Sequence, residues 1–139
     1  ELSLLYRQVF PSYPFPISDP SYLSRMMTEN VTYYGIRAED SIIAAAAIET
    51  DHHAQSAEMT DFATLPEWRG KGIAESLLRH MGTITESSHI KTAYTIARAS
   101  SYGMNAVFWK CGYIYSGLLI NNTQISGSIQ SMSVWYRQV

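Results

Sequence analysis

Cysteine, net charge and long apolar runs are what this sequence has least of. Ten Lys and Arg stand against twelve Asp and Glu, a net charge of -2. That balance carries no basic footprint for nucleic acid. No block of like charge, low-complexity tract or internal repeat interrupts the chain. Cys111 is the single cysteine, so no intrachain disulfide can form, and a reducing, cytoplasmic setting is expected. The longest apolar run, Ile42 to Ile48, falls far short of the ~20 residues that span a bilayer, so no membrane partner is expected. No charged segment leads into an apolar one at the start, which argues against a signal peptide. The chain opens at Glu1 without Met and reads as helix at once. It is therefore expected to be a piece of a longer protein with an N-terminal domain of its own.

What is present suits one α/β (α+β) domain over residues 1–139, with 46% hydrophobic residues to fill a core. Leu2, Leu5 and Val9 recur at helical spacing, until Pro11, Pro14 and Pro16 impose an extended loop. Asp19 and Pro20 cap and open a second helix, to about Thr28. Val31–Arg37, Ser41–Thr50 and Ala57–Leu65 read as strands separated by turns. The alanines of the second favour helix intrinsically, but its short length between turns favours strand. Helices are expected over Gly72 to about Ser87 and Tyr102–Cys111, the latter ended by Gly112, with a strand Thr92–Ala97 between them. Tyr113–Ile120 and Met132–Gln138 read as strands joined by a loop, "NNTQISGSIQS".

Chemistry concentrates in "LPEWRGKGIAESLL", Leu65 to Leu78, where a helix begins inside a glycine segment. The first amides of a helix lack internal partners, and its dipole adds about half a positive charge there. Gly70 and Gly72 leave those amides open, and Arg69 and Lys71 add charge, so the segment can hold a pyrophosphate. It lacks the Gly-Lys-Ser/Thr of a P-loop and the GxGxxG of a dinucleotide fold. Taken alone, it is equally a glycine-rich turn into a helix.

Arg69, Gly72 and Ala74, following a strand and a Leu-Pro-Glu-Trp turn, resemble motif A of the GNAT N-acetyltransferase superfamily, Arg/Gln-x-x-Gly-x-Gly/Ala. Phe108, Lys110, Gly112 and Tyr113 of "FWKCGYI" resemble the end of its motif B. The order of elements resembles a GNAT domain without its first strand, a mixed central sheet flanked by helices. "SYPFPI", "AEMTDFATLPEWRGKGIA", "YTIARASSYGMN" and "NNTQISGSIQSMSVWY" further resemble the β-lysine N6-acetyltransferase family, which makes the osmolyte N6-acetyl-β-lysine.

The resemblance implies acetyl-CoA as co-substrate and no metal. Its pantetheine arm would pair with the backbone of Phe62, Ala63 and Thr64, and its pyrophosphate would sit on the amides of Arg69, Gly70, Lys71, Gly72, Ile73 and Ala74. A backbone N–H near Thr64 would polarise the thioester carbonyl. A lysine-type amine, with a pKa near 10.4, is neutral in only about 1 molecule in 2,500 at pH 7, a penalty of about 4.6 kcal/mol. A general base is therefore valuable. Glu58 stands where many GNAT enzymes place a glutamate. Strict alternation would put it on one strand face with Thr60, Phe62 and Thr64, and Asp61 on the other. Glu58 could instead only accept a substrate ammonium, or be a solvated strand residue. The family's usual acid is a tyrosine at the position of Phe108, which cannot donate a proton. The thiol, with a pKa near 8.5, can leave without one. Tyr102 is the nearest alternative by sequence. Ser101 stands where an asparagine often touches CoA, with Asn105 one turn later.

Arg98 could hold a substrate carboxylate as a bidentate fork, form a structural ion pair, or face CoA. Asp61 or Glu49 could take a second amine, and Tyr33, Tyr34 and Tyr94 could line the pocket or only pack. His52 and His53 lack companions at metal-ligand spacing. His80 and His89 read as surface residues, and Cys111 as a buried thiol. Two further readings stay open: transfer to another amine (a polyamine, lysine or a protein amine), and an acyl-CoA-binding sensor without turnover. A free sheet edge could also pair with a second copy.

Overall fold

The computed structural model describes residues 1–139. Two short helices, α1 (Leu2–Val9) and α2 (Pro20–Met27), precede a meander of β1 (Val31–Ala38), β2 (Ser41–Asp51) and β3 (Ser56–Thr64). A 3-10 turn, Pro66–Trp68, leads into α3 (Ile73–Glu86), then β4 (Thr92–Arg98), α4 (Tyr102–Lys110), β5 (Ile114–Ile125) and β6 (Ser128–Gln138). The six strands form one sheet in the order β1-β2-β3-β4-β6-β5. Only β3 and β4 pair in parallel; the other neighbours are antiparallel. The mixed sheet flanked by helices is the architecture expected from the sequence.

The alanine run lies on an inner strand of this sheet, β2. Ala44, Ala45, Ala46 and Ala47 are all 0% exposed. Ala44 and Ala46 pack with Leu77, Leu78 and Met81 of α3, while Ala45 packs with Leu5 and Tyr6 of α1. A strand covered by helices on both faces needs small side chains if both helices are to approach closely. That tertiary demand overrides the helical preference of alanine.

Two irregularities interrupt the sheet. In the β2–β3 register Ala47 faces Thr60 but Ala45 faces Ala63, so Asp61 and Phe62 together oppose Ala46. Asp61 takes φ 55, the left-handed region, at this bulge. The second irregularity is in the expected loop "NNTQISGSIQS", which is instead the end of a long hairpin. Ile125 pairs with Ser128, and Ser126 and Gly127 form a two-residue turn with φ 54 and φ 89. Two consecutive positive φ angles match the twist of a hairpin, and the Ser-Gly dipeptide was the available signal. The hairpin tip returns to the α1–α2 loop: Ser126 N–H donates to Ser12 O at 2.8 Å.

Ala46→Leu should overpack the space between β2 and α3. It should lower stability by about 1–3 kcal/mol, read as a lower urea midpoint at unchanged m-value.

Candidate active site

Parallel pairing between β3 and β4 covers three residue pairs, Ser56–Thr92, Ala57–Ala93 and Glu58–Tyr94, and then stops. At the point of divergence Thr95 Oγ1 donates to Met59 O at 2.7 Å, so a buried side chain replaces the next ladder bond. Beyond it the strands enclose a wedge. Leu65 N–H donates to Ile43 O. By antiparallel alternation, the N–H and C=O groups of Phe62 and Thr64 therefore turn away from β2 and into the wedge. Arg69 Nε reaches Thr64 O at 3.1 Å, which ties the glycine segment to the end of β3.

Two cavities meet in this wedge. The larger, about 480 Å³, runs along Phe62–Thr64 to Arg69, Gly70, Gly72, Ile73 and Ala74, with Ser101 and Lys110 on its far wall. Gly70 and Gly72 have φ 74 and φ 75, and a Cβ on either would meet no atom within 4 Å. Their glycine identity thus answers to backbone conformation and leaves the adjacent amides uncovered. Gly72 caps α3, whose first amides open toward this groove. Lys71 Nζ lies 4.8 Å from the centre of the Trp68 ring, which holds a positive charge at the rim.

The smaller cavity, about 290 Å³, takes Glu58, Thr60 and Asp61 from β3 and Phe10, Tyr13 and Phe15 from the first helix and its loop. Arg98, Ser101, Phe62 and Met104 line both cavities, so the two are joined. Burial pushes the Glu58 carboxyl from its ordinary 4.5 up to about 7, helped by the like charges of Glu49 and Asp61. Glu49 is its cross-strand partner. Burial also raises Asp61, against the lowering effect of hydrogen bonds from Tyr13 and Thr60. The Tyr13 hydroxyl donates to Asp61 Oδ1 at 2.6 Å. An uncovered amide groove beside a carboxyl that titrates near neutrality can hold an anionic chain at one end and deprotonate a nucleophile at the other.

The family model described as Acetyltransferase (GNAT) family matches residues 2–113. The chain belongs to the GNAT acetyltransferase family. It is 44% identical over 137 residues to a beta-lysine N(6)-acetyltransferase of Methanococcus maripaludis, covering 99% of this chain and 50% of that protein. It is 40% identical over 139 residues to the N-acetyltransferase YodP of Bacillus subtilis, covering 100% and 50%. A beta-lysine N(6)-acetyltransferase of Methanosarcina mazei is 34% identical over 138 residues, covering 99% and 51%. The chain therefore spans about half the length of the curated relatives it matches. Among solved structures, the ribosomal-protein-S18-alanine N-acetyltransferase from Escherichia coli has the same fold, with TM-score 0.81 at 14% identity, covering 99% of this chain and 84% of that one.

Within this GNAT domain the residues singled out from sequence fall in three groups. Phe62, Ala63, Thr64, Arg69, Gly70, Gly72, Ile73, Ala74 and Ser101 line the long groove, and Lys71 stands at its rim. Glu58, Asp61, Phe108 and Arg98 line the short cavity. Tyr94 is the β4 neighbour of Glu58 but lines neither cavity. The expected alternation fails at Asp61. The bulge adds a residue, so Asp61 joins the Glu58 face and meets Tyr13, while Phe62 crosses to pack on Phe108 at 5.6 Å between ring centres. Phe108 is 1% exposed and also meets Tyr113 edge-on. Tyr102, 87% exposed, lines neither cavity.

Asn105 has its amide committed to the fold. It donates to Arg98 O and Ser101 O and accepts from Trp135 Nε1. Tyr13, Phe15 and the hairpin residues Asn122 and Thr123 line the short cavity and were not foreseen. The only signals were that Tyr13 and Phe15 lie within "SYPFPI" and Asn122 and Thr123 within "NNTQISGSIQSMSVWY", two of the segments that carry the family resemblance. The two histidines of separate loops, His52 and His89, stack with ring nitrogens 3.1 Å apart at the surface.

The Glu58 shift has a stability consequence. Its folded-state value exceeds the ordinary one, so between pH 4.5 and about 7 the folded protein holds a proton that the unfolded chain releases. Stability is thus lost as pH rises through that window. Glu58→Gln should match the wild type at pH 4.5 and exceed it at pH 8 by about 1–3 kcal/mol, allowing for partial solvation, measured by urea unfolding at both pH values.

Proposed function

We propose that this chain is the catalytic domain of an enzyme that transfers acetyl from acetyl-CoA to a primary amine of a small diamino acid. The acceptor is the N6 amine of β-lysine, and the product is the osmolyte N6-acetyl-β-lysine. The observation that carries the reading is the Glu58 carboxyl, raised to about 7, in an acceptor-sized cavity that joins an open amide groove. The activity named for two of the relatives supports the acceptor.

The groove fits acetyl-CoA on three features: the turned-out amides of Phe62 and Thr64, the uncovered glycine segment, and the cationic rim. Bound there, acetyl-CoA would supply an activated acyl group. The Thr64 N–H would stabilise negative charge developing on the thioester oxygen. Glu58 would take a proton from the substrate ammonium, directly or through one water, at a pKa matched to a neutral working pH, and so free the neutral amine that attacks. Arg98 would hold the substrate carboxylate, and Tyr94 would stand beside the base. Phe108 offers no proton, so the thiolate would leave as such or be protonated by water. A reducing, cytoplasmic setting suits the single thiol, and a second copy could pair at a free sheet edge.

Thiol release from acetyl-CoA by the full-length protein tests this reading, with β-lysine, α-lysine and spermidine as parallel acceptors. Release is expected with β-lysine. Glu58→Gln should slow kcat by about 10²–10⁴-fold and remove the inflection near pH 7 from the pH–rate profile. Release that survives the substitution with its pH profile intact sinks Glu58 as base. No release with any amine, while acetyl-CoA still binds, sinks the enzyme reading in favour of a sensor.

A further inference from the structure

Asp61 and Glu58 share one cavity, and nothing in the fold neutralises either. The three salt bridges of the molecule are Arg37–Glu1, Arg79–Glu75 and Arg137–Glu86, all elsewhere. Arg98, the one basic residue lining the cavity, donates through Nη1 to Ser126 Oγ at 3.2 Å and lies 6.0 Å from the Phe10 ring. It is anchored to the hairpin turn and to α1, and bonds to neither carboxylate. Asp61 instead receives two hydroxyls, Tyr13 at 2.6 Å and Thr60 at 3.4 Å. Behind them the Tyr6 hydroxyl, on a side chain 0% exposed, has no hydrogen-bond partner, and Asp61 is the charge it feels most. A carboxylate buried this far is normally paired with a cation.

The hydroxyl that marks the site is firmly held. Tyr13 sits between Pro11 and Pro14, and its neighbour Ser12 is clasped by the hairpin tip. Gly127 N–H donates to Ser12 Oγ at 2.6 Å, Ser126 N–H donates to Ser12 O, and Ser12 Oγ donates to Gln124 Oε1 at 3.0 Å. Glu58 and Asp61 are three residues apart on one strand, at most about 10 Å between Cα atoms, and the bulge turns both carboxylates to the same face. Two anionic points at that separation suit two amines joined by a few methylenes.

We infer that Asp61, oriented by Tyr13, binds a second ammonium of the acceptor that does not react, so that Asp61 and Tyr13 select diammonium over monoammonium acceptors. The inference rests on the acetyl-transfer reading and adds the feature that chooses the acceptor.

Matched acceptor pairs test it: β-lysine against 6-aminohexanoate, and 1,4-diaminobutane against 1-aminobutane, with the full-length protein and its Asp61→Asn and Tyr13→Phe variants. The wild type should prefer the diammonium member of at least one pair in kcat/KM by roughly 10- to 100-fold, the factor that a charge-assisted hydrogen bond carries. Asp61→Asn, nearly isosteric, should bring the preference to within about two-fold of unity, chiefly through KM, and Tyr13→Phe should fall between. Equal losses for both members of a pair, or an unchanged ratio, would overturn the inference, as would a wild type with no preference in either pair. Preference for 1,4-diaminobutane that Asp61→Asn abolishes, without turnover of β-lysine, would uphold the second-ammonium site and refute β-lysine as the acceptor.

Discussion

The parting of β3 from β4 after Glu58 and Tyr94 is the constraint on which the rest of this structure depends. Three residue pairs hold the two strands together, and the Thr95 hydroxyl on Met59 O closes the pairing where it ends. Had the ladder continued, the polar groups of Phe62 and Thr64 would be spent on β4 and the interior would be sealed. Because it stops, backbone donors and acceptors that are normally satisfied within a sheet face a cavity. Asn105 secures the other side of the opening by tying Arg98 O, Ser101 O and Trp135 to one amide, which keeps α4 and the end of β4 in place.

Electrostatics divides the wedge. One end has helix-terminal amides, Arg69 and Lys71, which favour an anion. The other has Glu58 and Asp61 with Glu49 nearby, and hydroxyls in place of counter-cations. Partial burial makes that acidic end costly in the unliganded protein and raises the Glu58 carboxyl to about 7. The same cost is relieved when a cation enters. A site of this kind is less stable than its surroundings require, and the double-sided core of β2 under α1 and α3 supplies the rigidity that tolerates it.

The bulge at Asp61 links the two ends. One extra residue on β3 moves Asp61 to the Glu58 face and Phe62 to the α4 side, where it meets Phe108 edge-on. Without it, strict alternation would have pointed the second carboxylate into the helical layer. The hairpin tip and the proline loop, more than a hundred residues apart in sequence, then meet at Ser12 to close the cavity around that carboxylate.

Much of this was legible in the sequence. Periodicity and capping marked every helix, and β-branched runs between turns marked most strands, because these are local preferences repeated along a segment. The glycine segment at Arg69–Ala74 and the motif ending at Tyr113 pointed to the family, since the left-handed backbone at Gly70, Gly72 and Gly112 restricts side chains position by position. Glu58 was legible as a candidate by its place before that segment. The rest was decided only by tertiary structure. The bulge depends on how β3 meets β2, and no residue at 61 announces a left-handed conformation. The role of Tyr13 depends on a loop pinned by a hairpin far along the chain, and the shift of Glu58 depends on burial and on Glu49 across the strand pair. Local sequence fixes which conformations a segment can adopt. Register, burial and the field of neighbouring charges arise only when segments meet, and in this protein they set the chemistry of the site.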